Sequence, residues 1–304
     1  MSTEQSFDQN GTYQGTQVIY DMPAHAYHSD ADGPRLSQSL ATTCVLKTPL
    51  HAWQQHPLLG HHDYVYEPSD SDGTIIHSLI LEPDSADIEE IDGSQIKTKG
   101  GEPAKLPFST TEGKALRDAA LAAGRIPMLS EKLGAFRYKA AAIRQRFEAH
   151  PSPVVFSGRS EVTIYWSEET PSGPVRCRAR LDHLIVTPER IQIIDLKSTE
   201  SAAPRDLRAS CWRYGYDIQA AAYVRAVEAA FPAYVGRVDF TFAFAELEKP
   251  YAVAPVTLNG EFMRLGEQRW ERGRDAWQAA LEGDNWTGYG GGSLEPPAWA
   301  LGEP

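Results

Sequence analysis

The stretch VRCRARLDHLIVTPERIQIIDLKST, residues 175 to 199, decides how this chain folds. Two apolar-rich runs, Val175 to Val186 and Arg190 to Leu196, flank Thr187-Pro188-Glu189-Arg190, where proline presets the dihedral of a tight turn. The expected element is an antiparallel hairpin. A turn centred between Pro188 and Glu189 sets Asp182 opposite Asp195 and Arg180 opposite Lys197. The two-residue period of a strand then keeps Asp195 and Lys197 on one face. Directly opposed side chains have Cβ atoms about 4.5 to 5.5 Å apart, a spacing at which two carboxylates repel. A divalent cation is the natural compensator, because a hard ion such as Mg²⁺ takes carboxylate oxygens, keeps several waters and meets phosphate oxygens at its remaining positions.

The competing reading is an exposed charge ladder in which Arg178, Arg180 and Lys197 neutralise Asp182 and Asp195. Ile193-Ile194-Asp195-Leu196-Lys197 speaks against it. A carboxylate and an amine interrupt a run apolar enough for a central strand, where charges are rarely placed for stability alone.

Outward from the hairpin, Glu161 to Trp166 reads as the strand before it, joined across Pro171-Ser172-Gly173-Pro174. Upstream, Ser37 opens a helix towards Leu46, a short helix starts after Pro49, and Asp72 or Thr74 caps a helix that stops at Pro83. Asp84 to Pro107 reads as a long polar loop, Thr110 or Thr111 caps a helix ending at Gly124, and Ser130 caps another through about His150. Downstream, Asp206 to Ala230 reads as one long helix, Val238 to Ala245 as a strand, and Glu261 to Leu281 as a last helix. The order helix, three strands, helix, strand, helix predicts an α/β core with helices against a mixed central sheet. Residues 1–17 are expected to be a disordered leader, 18–282 a single domain, and 283–304 a glycine- and proline-rich tail.

Composition limits the function. The 304 residues are 41% hydrophobic and 10% aromatic, ample for a core, and the formal charge of −12 argues against nonspecific coating of nucleic acid. A confined basic groove is still compatible with it. Cys44, Cys177 and Cys211 are odd in number and lack C-x-x-C spacing, so neither a disulfide framework nor a zinc or iron–sulfur site is implied, and a reducing cytoplasm fits. No signal peptide or apolar run of membrane-spanning length is visible, so a soluble intracellular protein is expected.

Gln219 and Tyr223, four apart on the helix after the hairpin, share one face and could hold a nucleic-acid backbone or brace a lysine, or simply face solvent. His77, among Ile75, Ile76, Leu79 and Ile80, reads by itself as a satisfied core histidine. Arg205, Arg208 and Arg213, and earlier Arg137, Lys139, Arg144 and Arg146, form basic helix faces, which are usually only solvated.

As an ordered set, these features resemble the RecB-type branch of the PD-(D/E)XK nucleases, and within it the exodeoxyribonuclease VIII nuclease domain and its phage relatives. The matching residues are Gly73-Thr74-x-x-His77 with Leu81-Glu82-Pro83, Glu161, Asp182 in RLDHL, Asp195-x-Lys197 with Ser198-Thr199, and Gln219-x-x-x-Tyr223. Tyr27-His28, Leu36 to Leu40 and the closing Pro297-Ala298-Trp299-Ala300 extend the likeness over most of the chain. It departs from the pattern in lacking a proline before the first aspartate and in the serine after Lys197.

The resemblance implies a restriction-endonuclease-like core and a set of roles. Asp182 and Asp195 would hold Mg²⁺ or Mn²⁺, with His77 adding a nitrogen ligand and Glu161 completing a second ion's shell. Lys197 would position and help deprotonate the attacking water, Gln219 and Tyr223 would orient Lys197 and the scissile phosphate, and Arg205, Arg208 and Arg213 would guide nucleic acid. The implied activity is a metal-dependent exonuclease on double-stranded DNA ends. It would remove the 5′ strand and leave a 3′ single strand for an annealing protein, from a homo-oligomer. A nuclease of other polarity or single-strand specificity, and a non-catalytic DNA-binding module of the same fold, are the alternatives.

Overall fold

Thr187 closes the hairpin: its N–H donates to the Arg190 carbonyl at 3.0 Å and its Oγ1 accepts from the Arg190 N–H at 3.2 Å. Around it the computed structural model describes residues 15–67, 69–83, 88–293 and 295–296. Before the hairpin lie β1 (Gln17–Ile19), α1 (Ala24–Ser29), β2 (Leu36–Ser37), α2 (Gln38–Leu46), α3 (Pro49–Gln55), α4 (Asp72–Leu81), β3 (Ile88–Ile91), α5 (Thr111–Ala122), β4 (Ile126–Leu129), α6 (Ser130–Glu148) and β5 (Arg159–Thr170). The hairpin is β6 (Gly173–Val186) and β7 (Ile191–Thr199), followed by α7 (Pro204–Tyr214), α8 (Tyr216–Ala230), β8 (Val238–Glu246), β9 (Val253–Val256) and α9 (Gly260–Gly283).

Among the described residues, seven strands form the central sheet in the order β1-β5-β6-β7-β8-β9, with β2 lying parallel against β6. The β7–β8 pair is also parallel and the other pairs are antiparallel. Helices cover both faces. The expected α/β, restriction-endonuclease-like architecture is therefore observed.

Strand alternation divides the core into two layers. Ile191 and Ile193 of β7 and Phe240, Phe242 and Phe244 of β8 pack with α2, α8 and the fully buried Trp270 and Trp277 of α9. Ile194 and Leu196, with Ala243 and Ala245, pack instead on Ile75, Ile76 and Ile80 of α4 and Leu133, Ile143 and Phe147 of α6. Each large apolar side chain buried this way stabilises the fold by about 1.5–3 kcal/mol before entropy is counted.

Local expectations need several corrections. The helix expected over 206–230 is two helices, because Gly215 adopts φ 70° and a Cβ there would lie 2.7 Å from Thr42 Cγ2. The polar stretch up to Pro107 holds β3, which pairs in parallel with β4 as a separate two-stranded sheet. Its single apolar pair, Ile88 and Ile91, is too brief for a period to show. The edge strand β9 was also unforeseen, since Pro255 masks it, yet proline is tolerated on an edge. Ser71, rather than Asp72 or Thr74, caps α4 by accepting the Thr74 N–H, and Ser130 is the first residue of α6 rather than its cap. Ser37 caps α2 as expected. Gln17, placed in the expected leader, instead opens β1, while residues 1–14 of that leader, and 294 and 297–304 of the expected tail with its Pro-Ala-Trp-Ala, lie outside the described residues. Cys44, Cys177 and Cys211 are buried free thiols.

Candidate active site

The site forms where β6 changes partners. Along one edge, Cys177 and Arg178 pair with β2, and pairing with β7 starts only at His183. Between these contacts the sheet forks. The hairpin has the register read from the sequence, with His183 opposite Ile194 and Val186 opposite Ile191, but its ladder stops one pair short of Asp182 and Asp195. Asp182 fills the gap with its side chain: Oδ2 accepts the Leu196 N–H at 2.8 Å.

Across β5 the same position is distorted. Glu161, which the β5–β6 ladder skips between Ser160–His183 and Val162–Leu181, has φ 54°, a left-handed value that costs a non-glycine residue roughly 1–3 kcal/mol. Side-chain alternation breaks here as well, because Leu181 and Leu184, three apart on β6, both belong to the same core layer. A strained residue opposite a parity break re-aims two carboxylates into the fork.

The fork is reached from both sides of the sheet. From α4, His77 Nε2 lies 2.9 Å from Asp182 Oδ2 and Nδ1 lies 3.8 Å from Glu161 Oε1. From α8, Gln219 Nε2 donates to Asp195 Oδ2 at 2.6 Å, and Gln219 is itself hydrogen-bonded to the buried Tyr223. Lys197 forms an ion pair with Asp195 Oδ1, although no hydrogen bond of good geometry reaches that oxygen. The contact is close, but the ammonium is poorly aimed, so the buried oxygen keeps an unused acceptor site. Arg180 Nε donates to Glu161 Oε2 at 2.5 Å and Arg180 Nη1 to the Met22 carbonyl at 2.7 Å.

Charges this close perturb one another. Burial, reinforced by the Asp182 carboxylate, pushes Asp195 up to about 7 despite Lys197. Burial would also raise Asp182, but His77, Lys197 and the Leu196 N–H overcome it and hold Asp182 below the usual carboxylate range. Burial and then Asp182 raise Glu161. Burial opposes a charged His77, yet Asp182, with Glu161 and Asp195, carries its imidazole to about 9. Lys197 is raised too, because Asp195 and Asp182 outweigh its desolvation. Three carboxylates thus crowd one fork and are balanced by shared protons and an ammonium.

Among the described residues no three His, Cys, Asp or Glu side chains stand ready at metal-ligand spacing. His77 and Asp182 face each other, while Asp195 faces Lys197 and Gln219. The donor set nevertheless fits a hard divalent cation. It offers carboxylates with an unused buried oxygen, Asp195 Oδ1, and an imidazole protonated only because anions surround it. Two cavities meet at His77 and Thr74: one of about 430 Å³ beside Lys197, Ser198 and Tyr216, the other of about 350 Å³ beside Tyr27, His28, Glu161, Arg180 and Asp182.

The sequence-nominated set therefore converges in the case of His77, Glu161, Asp182, Asp195, Lys197, Gln219 and Tyr223. The reading of His77 as a plain core histidine is corrected, since its ring opens on both cavities. The arginines do not join the cluster: Arg205 is exposed beside Asp206, Arg208 lines a separate apolar groove, and Arg213 lies over the Tyr214 ring. Of the earlier basic helix, Arg137 is paired with Glu90, Lys139 with Glu248, and Arg144 donates to the Ile80 and Phe156 carbonyls. Sequence reasoning missed Tyr216, whose ring centroid lies 5.3 Å from Lys197 Nζ, because the helix break before it carries only a glycine as a signal.

Comparison with known proteins bears on the fold and the family. A crystal structure of a candidate exonuclease from Eubacterium rectale matches with a TM-score of 0.51 at 15% identity, covering 87% of this chain and 88% of that one, a likeness of fold. The structure of SSO0001 overlaps 53% of this chain and 66% of its own at 12% identity, but its TM-score of 0.26 carries no weight. No curated protein matches the chain. No helix among the described residues is long and apolar enough to cross a membrane. The profile of the PDDEXK-like domain of unknown function (DUF3799) matches residues 128–294, more than half of the chain and the whole span from Glu161 to Tyr223, and the chain belongs to that family.

Proposed function

We propose that the chain is a metal-dependent DNA exonuclease that hydrolyses phosphodiester bonds from duplex ends. The observation that carries this reading is the convergence of His77, Asp182, Asp195 and Lys197 in one fork, approached from opposite sheet faces. Membership of a PDDEXK-like family and the shared fold with a candidate exonuclease support it. By the motif resemblance, the 5′ strand is degraded and a 3′ single strand is left for an annealing protein, and the working form is a homo-oligomer.

Asp182 and Asp195 would hold Mg²⁺ or Mn²⁺, with His77 and Glu161 completing the set. The ion, when bound, supplies Lewis-acid stabilisation of charge on the phosphoryl oxygens. Lys197 is held as an ammonium by Asp195 and Asp182, so it orients the attacking water and meets the negative charge that develops. To act as a base Lys197 would first release its ammonium proton to solvent, and its neutral amine would then accept the proton of the water. Gln219 fixes the Asp195 carboxylate, and Tyr223 fixes Gln219. The product ends are a 5′-phosphate and a 3′-hydroxyl.

Digestion of end-labelled linear duplex with Mg²⁺ tests the proposal, and labels on either end report polarity. Lys197→Ala is expected to lower turnover by about 10² to 10⁴-fold while retaining metal binding. Persistent full-length DNA at high concentrations of folded enzyme overturns the reading. A non-catalytic DNA-binding module is the second reading, and the mutual pairing of His77 with Asp182 and Lys197 with Asp195 favours it. Calorimetric titration that finds no heat at millimolar Mn²⁺ decides for that module.

A further inference from the structure

Tyr214 ends α7 and Tyr216 begins α8, with Gly215 between them at φ 70°. In an unbroken helix, residues two apart point to different sides. The left-handed glycine instead brings the two rings together, with centroids 5.9 Å apart and planes inclined by 38°. Tyr216 is backed by Phe242 and Phe244, at 5.4 and 6.1 Å, and lines the cavity that holds Lys197 and Ser198. Tyr214 is 55% exposed, and the Arg213 guanidinium lies 5.8 Å from its ring centroid. An aromatic path thus leads from the Lys197 ammonium, across a partly buried ring, to an exposed ring flanked by a cation. Isolated exposed aromatics are commonplace. Continuity with the lysine cavity sets this pair apart.

We propose that, given the nuclease reading above, Tyr214 and Tyr216 form a stacking step for the bases of an unpaired strand next to the scissile phosphate. The occupant is single-stranded DNA. A stacked base needs a free face, which paired bases inside a duplex lack, and aromatic stacking accepts every base, as a degradative enzyme requires. Arg213, at the outer end of the step, meets the backbone phosphate.

The test uses the full chain and a duplex oligonucleotide with a short single-stranded tail carrying 5-iodouracil, with Ca²⁺ in place of Mg²⁺ to hold the complex. Tyr214→Ala is expected to weaken binding of the tailed substrate by about tenfold and to leave a blunt duplex unaffected, whereas Tyr214→Phe restores affinity. Ultraviolet irradiation is expected to cross-link the tail of the wild-type complex to Tyr214 or Tyr216, as identified by peptide mass spectrometry. A wild-type enzyme that cleaves DNA with Mg²⁺, alongside a Tyr214→Ala variant that binds tailed DNA equally well and no cross-link at either tyrosine, overturns the stacking step and leaves the nuclease reading standing. Wild-type protein that neither binds nor cleaves DNA overturns both.

Discussion

One carboxylate oxygen, Asp182 Oδ2, accepts the Leu196 backbone N–H at 2.8 Å and meets His77 Nε2 at 2.9 Å. The acid that would serve the chemistry also ends the β6–β7 ladder, so its structural and catalytic contributions can be separated by substitution. Asp182→Asn keeps an oxygen to accept the N–H but loses the charge, whereas Asp182→Ala leaves that N–H without its partner. Asp182→Ala is expected to be less stable than Asp182→Asn by about 1–3 kcal/mol in urea unfolding, and both are expected to lack nuclease activity. Equal stability of the two variants would remove the ladder role.

Cation binding should show as stability. Crowded carboxylates held by protons and an ammonium gain when a divalent ion replaces the protons, and a ligand at a hundred times its Kd adds about 2.7 kcal/mol. Millimolar Mn²⁺ is expected to raise the Tm of the wild type, and Asp195→Asn to abolish most of that rise, in differential scanning calorimetry. An unchanged wild-type Tm contradicts a cation site.

Acid should destabilise the fold through His28. Burial, with Arg178 and Arg180 nearby, lowers its imidazole from 6.5 to about 4, so the folded state holds it neutral while the unfolded chain protonates it. The stability contribution is complete above pH 6.5 and is lost as the pH falls from there towards 4. His28→Phe, which keeps an aromatic ring against Tyr66, is expected to flatten that part of the stability profile. Parallel wild-type and variant profiles from chemical denaturation between pH 4 and 7 would exonerate His28.

Gly215→Ala should be costly in two ways, forcing a side chain into left-handed backbone and placing its Cβ against Thr42. A loss of roughly 1–3 kcal/mol is expected from the urea midpoint. A neutral substitution would mean that the α7–α8 junction can rearrange.

The hairpin was legible because its cues are local. Pro188 marks the turn, the apolar runs mark the strands, and the register follows from both, as His183 opposite Ile194 bears out. The two charges in Ile193-Ile194-Asp195-Leu196-Lys197 likewise marked an unusual position, since Asp195 is fully buried and tied to Lys197 and Gln219. By contrast, β3 is short and mostly polar, and Pro255 disguises β9, so their strand character comes from the partners they meet.

Local cues alone set the two strands of the hairpin, their register and the residue types gathered at the fork, because periodicity, turn chemistry and charges in apolar runs act over a few residues. Long-range packing alone makes β6 fork between β2 and β7, puts Glu161 in a left-handed backbone, and brings His77 and Gln219 to the same group of acids from opposite faces. Those relations join residues far apart in the chain. They arise from packing two core layers on one sheet, which no local pattern encodes.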